Sequence, residues 1–265
     1  MLPLRIFTHI PKTAGSTLTS LIYAQYRRDE IAKIFTPDDA GAFMTSLNPK
    51  VRFITGHYAY GLHRHTTRPC DYFTFLREPV ERVISLYFYL RRATDHASHA
   101  RIVSGAETFL DVVRHERDVQ TNYLAGTLGR KDVPDEERLA MAREHFTSRY
   151  SFGGLLERFD ESLILMEAQY GWRFRPYRSQ NVTANRPRRD DISTEIHEAL
   201  RENNQLDAEL YRFARERLDR QIAAQPAGFR DRLAAYRAGV ERTRRFYGPI
   251  DRFRRRLGAL LPVRR

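Results

Sequence analysis

Lys12 stands in the stretch HIPKTAGST, residues 9–17, whose residue types suit one task, the holding of an anion. Ile6, Phe7 and Ile10 before the loop suit a buried strand, and Leu18, Leu21, Ile22 and Tyr26 after it recur along one face of a helix. A strand that turns directly into a helix leaves the first helical N–H groups unpaired and partly positive. An anion in the loop Pro11, Lys12, Thr13, Ala14, Gly15, Ser16, Thr17 would therefore meet backbone amides, the hydroxyls of Thr13, Ser16 and Thr17, and the Lys12 ammonium. The lysine precedes Gly15, whereas a Walker A loop needs a lysine directly after its last glycine, so this is not a Walker A loop. The competing reading is an ordinary structural turn between a strand and a capped helix.

HIPKTAGST resembles the 5′-phosphosulfate loop of sulfotransferases, enzymes that use 3′-phosphoadenosine 5′-phosphosulfate (PAPS), and within them the carbohydrate branch typified by heparan sulfate 2-O-sulfotransferase. Residues 72–92, YFTFLREPVERVISLYFYLRR, are similar to the same family's 3′-phosphate motif, in which an Arg just after a strand and a Ser eight residues later hold the ribose 3′-phosphate; here these are Arg77 and Ser85. A guanidinium fork matches phosphate oxygens better than an ammonium point charge, which gives the residue type a physical reason. Arg82 shares a helical face with Ser85 and Tyr89, or else forms a surface pair with Glu78 or Glu81. The resemblance places a catalytic base at Gly56-His57, where an imidazole would take the proton of an acceptor hydroxyl; the alternative is a histidine capping a strand end. It also places Thr183 and Arg186, in SQNVTANRP, near the nucleotide, and makes Gln120 and Asn122, in VQTNYLAG, candidate acceptor contacts.

The elements that must position these residues read in order. Residues 37–47 suggest a short helix and 51–56 a strand; 72–76 suggest a strand that enters a helix at Pro79, with Val80, Val83, Ile84, Tyr87 and Phe88 as its apolar face. Residues 93–108 read as a polar loop over the acceptor groove, followed by a helix in which Phe109, Val112 and Val113 share a face. Residues 134–147 read as an amphipathic helix, 152–156 as a strand, and Asp160, Glu161 and Ser162 as a helix start that Gly171 stops. The rival reading of LILME, ending at Glu167, is a strand with a magnesium-binding acid, as in a kinase. Two short helices follow Ser193, with Leu206, Leu210, Phe213 and Leu218 inward, and then a helix from Gly228.

The 265 residues suffice for one α/β core and contain no low-complexity linker. We expect a sulfotransferase domain over residues 1–225 and a basic helical tail over 226–265. Nine of the twelve net positive charges fall in that tail, so the charge does not mark a nucleic-acid-binding face. Its Arg clusters, interleaved with Phe253, Leu257, Leu260 and Leu261, suit either an anionic membrane surface, a polyanionic acceptor or a solvated tail. Lysine occurs only at 12, 33, 50 and 131 against forty-one arginines, which sets Lys12 apart. The single Cys70 excludes a disulfide framework, and His57, His63 and His65 lack metal-ligand spacing, so no metal is expected. With no signal segment or long apolar run read at its start, the chain is expected to be a cytoplasmic, bacterial-type soluble member, which makes the N-x-T at Asn181 incidental. The expected fold is a P-loop NTPase-like three-layer α/β fold with a central parallel sheet and flanking helices. The function the resemblance implies is transfer of a sulfuryl group from PAPS to a hydroxyl, on a carbohydrate acceptor; the alternatives are a nucleotide-dependent small-molecule kinase and a non-catalytic polyanion- or membrane-binding protein.

Overall fold

The apolar runs of the first half become strands buried on both faces, which is the mark of a parallel sheet covered on its two sides. A computed structural model describes residues 3–34, 40–177 and 192–260, the last thirteen of these by backbone alone. Strands Leu4–Thr8 (β1), Ile31–Ile34 (β2), Phe53–Gly56 (β3), Cys70–Leu76 (β4) and Tyr150–Leu155 (β5) form a five-stranded sheet in the order β2-β3-β1-β4-β5, every neighbouring pair parallel. The α/β architecture is thus as the sequence implies. Phe7, Phe53 and Phe73 stack across the three central strands, with the Phe7 and Phe73 rings 5.1 Å apart and nearly parallel.

Because all strands run the same way, the loops after β1, β3 and β4 leave from one edge of the sheet. The chain leaves β1 for the β3 side and later returns to pair β4 on the other, so β1 ends at the point where strand order reverses. Ligands of open α/β sheets bind at such a point. Gly15–Tyr23 (α1) follows β1, Ala40–Thr45 (α2) follows β2, and Pro79–Leu90 (α3) follows β4 with Pro79 in its first turn and the Glu78 carboxylate accepting from Glu81 N–H at 2.7 Å.

The segment expected as a polar loop, 93–108, contains a helix, Ser98–Val103 (α4), before Phe109–His115 (α5) and Val119–Ala125 (α6). Ile102 explains the difference: it is buried with Leu90 and Val112, an anchor that lies within a run of polar residues. The α5 face predicted from Phe109, Val112 and Val113 packs on α3, with Phe109 stacked on Tyr87 at 4.2 Å. Asp135–Ser148 (α7) and Phe159–Tyr170 (α8) follow expectation, and Gly171 closes α8 in the left-handed conformation. LILME is therefore helical. Glu167 is 3% exposed and accepts from Phe174 N–H and the Arg232 guanidinium, which leaves the magnesium-binding strand reading without its strand.

The two closing helices are unequal, Thr194–Glu202 (α9) and a 19-residue Gln205–Ala223 (α10), with Leu210 and Leu218 fully buried. Gly228–Leu260 (α11) begins as part of the core rather than as a separate tail: Phe229, Leu233 and Tyr236 join the main apolar cluster and Arg232 pairs with Glu167. The packed unit therefore continues past residue 225, because the helix turns an apolar stripe, spaced at helical intervals, onto α8.

Candidate active site

The loop after β1 is wound so that its backbone turns inward. Lys12 and Ala14 both have φ of 73°, in the left-handed region, and Ala14 is the N-cap of α1. Alternation of this kind brings successive N–H groups to one concavity beside the helix N-terminus, the arrangement that holds phosphate oxygens. Thr13 has another duty: its buried hydroxyl donates to Ile10 C=O at 2.9 Å and ties the turn together, so the expectation that this hydroxyl faces an anion is corrected. Pro11, Lys12, Ala14, Gly15, Ser16 and Thr17 line a cavity of about 1070 Å³ at the strand-end edge.

Arg77, Ser85 and His57 open into the same cavity. The Arg77 guanidinium donates to Lys12 C=O at 3.2 Å and lies 3.7 Å from Glu81, so the two phosphate motifs touch. Gln120, expected at the acceptor, is fully buried and holds Arg77 instead: its side-chain oxygen accepts from Arg77 N–H and its NH₂ donates to Arg77 C=O, both at 2.9 Å. Asn122 is likewise occupied within its own helix end, donating to Arg117 C=O and accepting from the Thr127 hydroxyl. The reason is that α6 turns these two residues toward backbone that needs partners. Arg82 is fully buried and pairs at 2.9 Å with Glu116, on the cavity wall, rather than with Glu78 or Glu81 at the surface.

His57 Nδ1 lies 2.9 Å from His9 C=O. A carbonyl only accepts, so this nitrogen carries the hydrogen, and in the neutral ring the lone pair is on Nε2. Gly56 before it is a glycine for lack of room, because a Cβ there would fall inside the Ile34 carbonyl of β2. His63, by contrast, is committed to the Tyr72 hydroxyl at 3.1 Å.

His9 is the residue the sequence reading passed over. Its ring stacks on Phe7 at 5.3 Å, lies tilted by 35° against His57 at 4.4 Å, and lines the cavity. Burial, with His57 and Lys12 close by, pushes its pKa down to about 3, so it is uncharged. Burial, then Arg77 and Arg92, lowers Lys12 to about 8, and its Nζ rests 4.1 Å from the centre of the Tyr89 ring. The other wall carries Glu107, Val112, Glu116 and Tyr123, and Tyr123 C=O accepts from Tyr60 N–H, which joins α6 to the loop after β3. Asn181, Thr183 and Arg186 lie outside the described residues.

The arrangement offers two anion-binding units joined by Arg77 and an imidazole with its lone pair on Nε2. Residues 5–247 match the family model described as Galactose-3-O-sulfotransferase. Among solved structures, that of mouse sulfotransferase SULT7A1 complexed with PAP is similar at 15% sequence identity and a TM-score of 0.40, over 77% of this chain and 64% of that one. The chain thus spans just under two thirds of that protein's length. No curated protein matches the sequence.

Proposed function

The chain belongs to the galactose-3-O-sulfotransferase family, and from that premise we propose that it moves a sulfuryl group from PAPS to a hydroxyl of a carbohydrate acceptor. The family lies in the carbohydrate branch that the loop resembles, under galactose rather than heparan sulfate. The observation that carries the proposal is the hydrogen bond from Arg77 to Lys12 C=O, which sets both anion units on one cavity beside His57. Two such units in contact suit a nucleotide with phosphate on both sides of its ribose better than a triphosphate in a single loop.

In this reading the loop amides of α1 and Lys12 hold the 5′-phosphosulfate, and Arg77 with Ser85 holds the 3′-phosphate. His57 Nε2 accepts the hydroxyl proton as the acceptor oxygen bonds to sulfur and the bridging S–O bond breaks. Lys12 meets the negative charge that gathers on the departing phosphate oxygen, a role worth roughly 3–4 kcal/mol of barrier. Positioning supplies the rest, because the transfer needs no covalent intermediate with the protein.

The test is twofold. Adenosine 3′,5′-bisphosphate should raise the melting temperature where ATP with magnesium does not, since a ligand held by the native state alone stabilises it. Labelled sulfate should then pass from PAPS to a galactoside. Stabilisation by ATP with magnesium alone would favour the kinase reading.

A further inference from the structure

We propose that His9 is a second imidazole of the transfer site, a hydrogen-bond donor to the sulfuryl group in transit. The inference rests on the transferase reading and assigns a role within it.

The ring is held on three sides. Phe7 lies parallel to it, within 10°, and His57 lies against it at 4.4 Å, tilted by 35°. The His9 main chain is pinned as well, with its N–H donating to Gly56 C=O at 3.2 Å and its C=O accepting from His57 Nδ1. Gly15 completes the seat. A Cβ at Gly15 would fall within the His9 imidazole, with Nε2 the nearest atom. The edge of the ring that carries Nε2 therefore lies against the first residue of α1, where the positive end of the helix gathers an anion. An anion drawn there meets the imidazole as well.

Among the described residues, no protein group hydrogen-bonds to either His9 ring nitrogen, although the ring lines the cavity. A half-buried ring N–H without a protein partner is a donor in want of an acceptor. Its low basicity decides which role it takes. An imidazole with a pKa of about 3 is a poor base near neutrality, yet its neutral form still carries one N–H. The two histidines thus divide the work, His57 accepting the acceptor's proton and His9 donating to sulfuryl oxygen. Donors fixed where charge develops need no rearrangement during the reaction.

The experiment begins with the unaltered chain. If it neither transfers labelled sulfate from PAPS nor is stabilised by adenosine 3′,5′-bisphosphate, the transferase reading falls and the His9 role falls with it. If it transfers, three variants decide the inference alone. His9→Ala should lower kcat by about a hundredfold, while its affinity for the bisphosphate, which has no sulfuryl group, stays within about threefold of the original. His9→Phe keeps the stacked shape without an N–H and should match the alanine variant, which covers the case in which alanine fails to fold. His9→Gln returns an N–H donor and should recover about tenfold of the lost rate. The acid limb of the pH profile of kcat/KM should not move in any of them. A kcat within threefold of the original for His9→Phe, a glutamine variant no faster than phenylalanine, or a shifted acid limb would each overturn the assignment, the last by showing that His9 acts only through His57.

Discussion

Lys12 is the residue on which charge and position meet. Its pKa of about 8 means that the cation is present below that value and is lost as pH rises through it, within the range where activity is measured. We expect kcat/KM for PAPS to fall above about pH 8, and Lys12→Arg, whose charge does not titrate there, to lose that limb while turning over more slowly. Lys12→Ala should lower kcat by about 10²–10³-fold with an unchanged fold by circular dichroism, because the side chain faces a cavity. A flat alkaline limb in the original chain would remove the lysine from the reaction. At this scale the sequence showed the charges but not their use. Lys12, Arg77, Ser85 and His57 are legible because each sits at the end of a strand or on a helix that the local pattern announces. The uses of Thr13 and Gln120 are not: a threonine bonded to Ile10 and a glutamine bonded to residue 77 from forty-three positions away look like free polar groups until the chain is folded.

Between elements, the main device is an exchange of carboxylates. Asp207, in the first turn of α10, accepts from the N–H groups of Gln120 and Thr121 at the start of α6, and Asp118, the N-cap residue of α6, accepts from Asp207 N–H. Each helix N-terminus is thus satisfied by the other's acid. Burial, followed by repulsion from Asp207, raises Asp118 from 3.8 to about 6. Between those values the folded chain binds more protons than the unfolded one, so this residue's contribution to stability falls as pH rises from about 4 to about 6. Asp118→Asn keeps an acceptor and drops the charge. Its melting temperature should gain on the original chain over that window and hold the gain above it, as scans at pH 4, 5, 6 and 7 would show; a difference that stays level across the window would refute the linkage. β1, β3, β4, β5 and the helices at Pro79 and Gly171 were legible from local punctuation, whereas β2 was not, being four residues of which only Ile34 is buried, and α4 was hidden because one isoleucine in a polar run anchors it.

For the molecule as a whole, the boundary at residue 225 fails for a reason of packing. Phe229, Leu233 and Tyr236 are 7%, 9% and 1% exposed, and each such side chain stabilises by about 1.5–3 kcal/mol when buried. Removing them also strips Arg232 from the buried Glu167, which then keeps only the Phe174 N–H and Arg173 at 3.8 Å. Together these losses approach the whole stability of a typical domain. A chain ended at Gln225 should therefore be insoluble or molten, while one ended at Tyr247 should melt cooperatively close to the full-length temperature; a well-folded 225-residue product would show the helix to be dispensable. The carboxylate exchange has a further consequence for how the cavity comes into being. Asp207 supplies the acceptor that starts α6, α6 carries Gln120, and Gln120 fixes the backbone of Arg77, so the Arg77 wall of the cavity waits on a residue encoded 130 positions downstream of it. During synthesis the first four strands emerge long before that carboxylate. A nascent chain arrested between residues 155 and 207 would have all five strands made and Arg77 still unset, so the two walls of the cavity come together only with the near-complete polypeptide.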